Sequence, residues 1–424
     1  MSLKTVKLAE GAEGLFIKNE RFNTTLISCN FFLPLKKATV AEYALLPFIL
    51  TSCSKKYPDF SRLNYKLSKL YGARLDASTE KYGDYQLLRM TVSVINDRFN
   101  LDGESLVNQA ADLLLGLIFE PNVENGAFNE TDVAREKRKA IEHIKSELSE
   151  KRVYAKNRLI EEMFRGSAYG LPKCGTVEDV EKITCESLYN AWEQMLKTAF
   201  IRVQTIGANL PQGLFDTFSQ RFKSIERSNI TSCKVSRITE EQLIPVTVTD
   251  RMDVSQGKLC MGFSSTVAGN DDQTLPLLVM TDIFGGGPYS RLFANVREKM
   301  SLCYYCSASS VRSKGLITVE SGVEFGNADK AEKEILNQLE IVKKGEFSEF
   351  EFSSSIKSIS GSFNTYNDSQ GALDTWYLIK INNDNIYSPS DMSEKIALVT
   401  REDVINAANG VKLHTVYKLL GEAE

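Results

Sequence analysis

The feature that most restricts this chain is that it repeats itself. An alternating segment, "TTLISCNFFLP" (24–34), precedes an apolar one, "AEYALLPFILTSC" (41–53). The same succession returns as "GKLCMGFSSTV" (257–267) and "TLPLLVMTDIFGGG" (274–287). Next comes "SRLNYKLSKLYGARLDASTEKYGDYQLLRMTV" (61–92), answered by "YSRLFANVREKMSLCYYCSASSVRSKGLITVESGV" (289–323). Each reads as a helix with apolar residues at helical spacing, then two antiparallel strands around a turn, "KYGD" or "RSKG". Helices are expected at 105–119 and 328–345, long helical segments at 131–165 and 350–382, and further helical stretches at 176–196 and 391–411. In the last two, a Thr precedes an acidic first turn, the signature of a helix start. Strands at 200–208 and 414–421 close the halves. A long-period repeat of this kind predicts an α+β chain of two similar domains, 1–228 and 251–424, joined by a linker at 229–250.

Composition removes whole classes of function. Of the 424 residues, 42% are apolar, enough for two cores and far from a disordered composition. The formal net charge of -4, with no basic stripe, argues against nucleic acid as a partner. No apolar run reaches the length of a membrane span. The N-terminal "MSLKTVKLAEGAEGLF" lacks the apolar core of a signal peptide, so cytoplasmic residence is the expectation. The eight cysteines are scattered and read as reduced, mostly buried thiols. Cys303 and Cys306 form a CxxC, but in a regular strand residues three apart point to opposite faces. The pair therefore reads as structural. The only histidines, His143 and His414, share no motif, which argues against a hydrolytic triad. His143 and Glu147 lie four apart on an expected helix, a two-ligand pair too small for a zinc site. His414 reads as a structural residue of the last strand.

The glycine loop "GGGPYSR" (285–291) has no Lys and Ser/Thr after its last glycine, so it lacks the parts of a phosphate loop. A helix end and tight turn, with Pro288 opening the next helix, account for it. The stretch around it, "GGGPYSRLFANVREKMSLCYY", resembles the C-terminal signature of the insulinase-like, pitrilysin-type zinc peptidases, which include the mitochondrial processing peptidase. Ser290, Arg291, Leu292, Phe293, Val296, Arg297, Glu298, Lys299, Leu302 and Tyr304 match the family pattern. Ser301 and Cys303 stand where Gly and Ala are usual. The resemblance extends to the duplicated architecture, and it implies two domains, each a twisted, mostly antiparallel sheet covered by helices on one side.

Active members of that family carry His-x-x-Glu-His on the first helix. Histidines four apart share a helix face and grip one zinc, the Glu takes a proton from its bound water, and a further Glu on a later helix completes the ligands. Aligned from Tyr71-Gly72, this sequence puts Leu45 and Ile49 at the histidine positions and Phe48 at the Glu position, with Pro47 beside them. Glu142 or His143 falls at the third ligand. A helix face so rich in aliphatic residues should be packed. The resemblance gives Arg297 and Tyr304 a different role, as donors to the substrate carbonyl of a facing zinc site, where they steady developing negative charge. Tyr305 is the alternative if the register shifts by one.

With the zinc half missing and the supporting half kept, the chain resembles the zinc-less subunit of bacterial heterodimeric peptidases of this family. The implied partner is a homologous subunit bearing His-x-x-Glu-His and the zinc, with no cofactor or metal bound by this chain itself. The implied substrate is a peptide or unfolded polypeptide held in extended form by strand addition. Catalytic inertness of the lone chain is the corresponding expectation. The alternative is a pseudo-peptidase that acts only as a binding or assembly scaffold.

Overall fold

The computed structural model describes residues 2–101, 103–234, 244–269, 274–380 and 386–422. Part of the 229–250 linker, residues 235–243, lies outside them. The strands, in chain order, are β1 (Ser2–Ala9), β2 (Ala12–Lys18), β3 (Thr24–Pro34), β4 (Arg74–Tyr82), β5 (Tyr85–Ile95), β6 (Val123–Glu124), β7 (Ala127–Phe128), β8 (Phe200–Gly207), β9 (Val246–Arg251), β10 (Gly257–Ser265), β11 (Cys303–Val311), β12 (Leu316–Val323) and β13 (Val411–Leu420). Among the described residues, the first sheet runs β1-β2-β8-β3-β5-β4 and the second β11-β12-β10-β13-β9.

The duplication is exact at the level of pairing. Reading β2-β8-β3-β5-β4 against β9-β13-β10-β12-β11 matches strand for strand. Even the one parallel pair recurs, β2 with β8 and β9 with β13, while the other ladders are antiparallel. The first sheet adds β1, from an N-terminal stretch whose strand character the repeat did not expose. At the other end of the supposed linker, residues 246–251 form β9.

The chain divides into two compact units that are not contiguous in sequence. One gathers Met1–Ser146, Leu171–Lys234 and Gln370–Ile381; the other gathers Glu147–Gly170, Val235–Ser369 and Asn382–Glu424. The partition at 1–228 and 251–424 is therefore crossed twice, and in the same place in each half. The long helical stretch of the first half breaks at Glu150 into Glu130–Ser149 and Lys151–Met163. Its counterpart breaks at 366–369 into Glu349–Thr365 and Gln370–Leu378. The second piece of each packs on the sheet assembled from the other half.

These exchanged helices explain the two-sided burial of the central strands. On β3, Ile27, Cys29, Phe31 and Leu33 enter the apolar core under the helices Val40–Leu50 and Leu106–Phe119. The alternate residues Ser28 and Asn30 face Gln370–Leu378. There Asp374, fully buried, accepts from Ser28 Oγ (2.8 Å) and Gln204 Nε2 (2.6 Å) and pairs with Arg89. On β10, Leu259, Met261 and Phe263 are buried, and Phe263 meets Phe284 edge-on. The opposite face carries Cys260, in a cluster with Ala155 and Leu159 of the exchanged helix Lys151–Met163. Gly262 permits that approach, because a Cβ there would lie 2.6 Å from Met163 Sδ. Each sheet thus has helices from its own half on one face and a helix from the other half on the second.

Candidate functional site

The first helix, Val40–Leu50, is buried on almost every side, with Pro47 inside it and no side-chain cap at Thr39. Pro47 has no N–H to return to the preceding turn, and the helix persists because its surroundings hold it. Leu45 and Ile49 are 2% and 1% exposed, whereas Phe48 is 40% exposed. Facing it, Glu130–Ser149 presents Glu136, Ala140 and His143 along one stripe, at the spacing of successive helical turns. Between them lies a cavity of about 300 Å³ lined by Ala41, Ala44, Leu45, Phe48, Ala140 and His143, among others. Ile49 is not part of its wall; it belongs to the core cluster. Glu142 points elsewhere, into solvent, 3.9 Å from Arg138.

The structure therefore brings Leu45, Phe48 and His143 around one cavity, and that cavity is predominantly apolar. Sequence reasoning missed Glu136. This residue is buried, accepts from Arg135 Nε (3.0 Å) and Lys139 Nζ (3.0 Å), and reaches the cavity wall. Its seven-residue spacing from His143 was the available signal. Leu45, Phe48 and Ile49 offer no electron pair to a cation, so these residues do not fit a zinc ion. Among the described residues, no group of three or more His, Cys, Asp or Glu side chains converges as a metal site requires. His414 is buried in β13 and shares a hydrogen bond between Nδ1 and Thr415 Oγ1 (2.8 Å).

In the other unit, the glycine loop ends the helix Leu275–Gly285 for steric reasons, not for left-handed backbone. A Cβ at Gly285 would come within 2.6 Å of Ala308 N on β11, and one at Gly286 within 2.7 Å of Asp282 Cα. Pro288 does not open an α-helix. The chain first makes a turn in which Tyr289 donates to Asp282 (2.6 Å), and then enters a π-helix, Leu292–Lys299. Wide turns of this kind recur at functional sites.

The signature stretch separates into buried and exposed members. Ser290, Leu292 and Val296 are fully buried, and Arg291 is tied to Gln338 (2.9 Å) and Glu351 (3.3 Å). Arg297 is not so enclosed: its side chain is 40% exposed, 4.6 Å from the Phe293 ring and 3.5 Å from Glu298. Ser301 follows with φ +50°, a left-handed conformation that explains the glycine usual there. Tyr304 is 59% exposed. It is the extra residue of a β-bulge, since Cys303 pairs with Val323 while Tyr305 pairs with Gly322. Tyr305 instead packs against Gly322 with the guanidinium of Arg152 over its ring at 4.6 Å. Burial pushes its hydroxyl up to about 12.

The bulge corrects the reading of the CxxC. An extra residue between them restores the parity, and Cys303 and Cys306 share one face of β11.

Residues 182–359 match the family model described as the Peptidase M16 inactive domain. The chain is 31% identical to a probable inactive metalloprotease of Bacillus subtilis (strain 168), YmfF, over 97% of this chain and 96% of that one. It is also similar to the solved structure of a conserved protein from Enterococcus faecalis V583, at 26% identity and a TM-score of 0.93, covering 100% of this chain and 99% of that one. A protease from Helicobacter pylori shares the fold at 14% identity, with a TM-score of 0.80 over 99% of both chains. With its duplicated sheets, its signature turn and a relative of this identity along nearly the whole length, the chain belongs to the insulinase-like M16 peptidase family.

Proposed function

We propose that this chain is the zinc-less subunit of a two-chain M16 peptidase and supplies Arg297 and Tyr304 to a partner's zinc site. The observation that carries this reading is the way the signature stretch is divided. Ser290, Leu292 and Val296 are buried in structural contacts, whereas Arg297 is partly exposed and Tyr304 exposed on adjoining elements, as Glu298 and Lys299 beside Arg297 are too. A guanidinium and a phenol aimed at one oxygen stabilise the charge that develops on a peptide carbonyl during hydrolysis. Tyr304 also lies on β11, the edge strand of its sheet, which suits an extended peptide or unfolded segment adding as a further strand.

The first helix supports the complementary half of the proposal. Leu45, Phe48 and Ile49 put no metal ligand on the helix where the resemblance expects zinc, and the Bacillus subtilis relative is described as probably inactive. The zinc would reside in a homologous subunit bearing His-x-x-Glu-His. No helix of the described residues is long and apolar enough to cross a membrane. We place the complex in the cytoplasm, because the scattered spacing of the cysteines suits a reducing compartment. The test is to purify this chain and the His-x-x-Glu-His homologue of the same genome and to assay an unfolded polypeptide. Cleavage that requires both chains is the expected result; zinc-dependent turnover by this chain alone sinks the proposal.

A second reading, a scaffold that binds without helping catalysis, is favoured by the apolar cavity standing at the family's zinc position. It predicts that assembly with the partner continues and that Tyr304 does not affect turnover.

A further inference from the structure

The two cysteines at the bulge have a property that the peptidase reading does not use. In β11, Cys303 lies opposite Val323 and Cys306 opposite Ser321, with the extra Tyr304 turned to solvent. Val323 and Ser321 are two apart on β12 and share a face, so their cross-strand partners share it too. The bulge therefore converts a spacing that separates two side chains in a regular strand into one that joins them. Ser321 stands directly opposite Cys306, and Val323 opposite Cys303, so the two thiols occupy successive positions of one face. Ser321 itself is fastened to β11 through Tyr305 O (3.0 Å).

The two sulfurs differ in kind. Cys306 is 5% exposed, whereas Cys303 is partly exposed. The neighbouring Cys306, outweighing burial and assisted by Ser321 and the Arg297 cation, holds Cys303 down to about 7. Cys306 is held well above its ordinary value by Cys303 and by burial. Burial pushes Cys29 up strongly, Cys53 to about 11, and Cys233 and Cys260 to about 12, and it raises Cys185 as well. An accessible, acidified thiol beside a buried one is the arrangement of an attacking and a resolving cysteine.

We propose that Cys303 and Cys306 form a thiol–disulfide exchange site for small-molecule disulfides of the glutathione class, with Cys303 attacking and Cys306 resolving. The Cys303 thiolate attacks one sulfur of the small disulfide. A Cys303–S–S–R bond forms, the original S–S bond breaks, and the first small thiol leaves. Cys306, once deprotonated, then attacks the Cys303 sulfur and displaces the second small thiol. The two thiol protons end on the two departing thiols. The protein loses two electrons and the small disulfide gains them. The product is a disulfide closed across the bulge that carries Tyr304.

The experiment treats the reduced, full-length chain with oxidised glutathione, quenches with acid, alkylates the remaining thiols and analyses the peptide containing 303–306 by mass spectrometry. The expected result is the loss of two hydrogens from that peptide. In Cys306→Ser, glutathione accumulates on Cys303 instead, and Cys303→Ser shows neither product. A folded wild-type chain that keeps both thiols free under excess oxidised glutathione overturns the proposal, as does accumulation of glutathione on Cys306 in Cys303→Ser. Iodoacetamide labelling of the wild type at pH 7 needs no variant. Cys303 should react about tenfold faster than Cys185, because its larger thiolate fraction exceeds its loss of intrinsic nucleophilicity. Equal rates overturn the attacking role of Cys303.

Discussion

Restoring the missing motif is the sharpest test of why it is missing. The variant Leu45→His, Phe48→Glu, Ile49→His rebuilds His-x-x-Glu-His on the first helix. Leu45 and Ile49 are 2% and 1% exposed, so both imidazoles would enter the core. Losing two buried aliphatic side chains costs about 3–6 kcal/mol in burial. Two imidazoles buried among apolar neighbours, without partners, add about 2–6 kcal/mol. Phe48 is 40% exposed and contributes little. The sum, about 5–12 kcal/mol, is comparable to the whole stability of a domain. Zinc offers little compensation, because Ile49 is not in the wall of the cavity that His143 lines. Circular dichroism in a urea titration, with and without zinc, should show a chain that is unfolded or far less stable and that zinc does not rescue. A folded variant that binds one zinc per chain tightly would refute the reasoning that this helix face is committed to packing.

The remaining predictions concern the two units separately. Asp374→Ala should destabilise the first unit by about 3–5 kcal/mol, because Arg89 would lose its buried partner; a urea-melt loss under about 1 kcal/mol would contradict the packing of Gln370–Leu378 on β3 and β8. Burial alone would push Glu320 up, but Lys156 (2.7 Å) and Arg152 (3.0 Å) more than offset it and hold it below its ordinary 4.5. The folded state then binds that proton less tightly than the unfolded one, so the stabilisation is present above pH 4.5 and is lost as pH falls through the lowered value. Urea midpoints of Glu320→Gln between pH 7 and pH 3 should accordingly fall less steeply than those of the wild type; identical slopes would remove Glu320 from the acid limb.

The duplication was legible because it rests on local pattern. Alternation in "TTLISCNFFLP" and "GKLCMGFSSTV" marks half-buried strands without any knowledge of their partners. The exchanged helices were not legible. Lys151–Met163 and Gln370–Leu378 continue helical segments, and nothing in their sequence says which sheet they will cover; that choice is made by residues far away in the chain, such as Ser28 and Gln204 for Asp374. The bulge at Tyr304 escaped for a similar reason. Its extra residue is defined by the register against β12, and "SLCYYC" contains no glycine to announce it. Arg297 and Tyr304 were singled out through the signature stretch, and only their surroundings distinguish them from its buried members. Glu136 went unnoticed because a charged residue on an amphipathic helix reads as solvated unless its neighbours are known.

The most direct measurement is peptide turnover by the proposed complex of this chain with a zinc-bearing homologue, comparing wild type with Tyr304→Phe. If Tyr304 donates to the carbonyl oxygen, loss of its hydroxyl should lower kcat by about 10²–10³-fold, with assembly unchanged by gel filtration. An unaltered kcat in an intact complex would contradict the account and leave the chain as a scaffold.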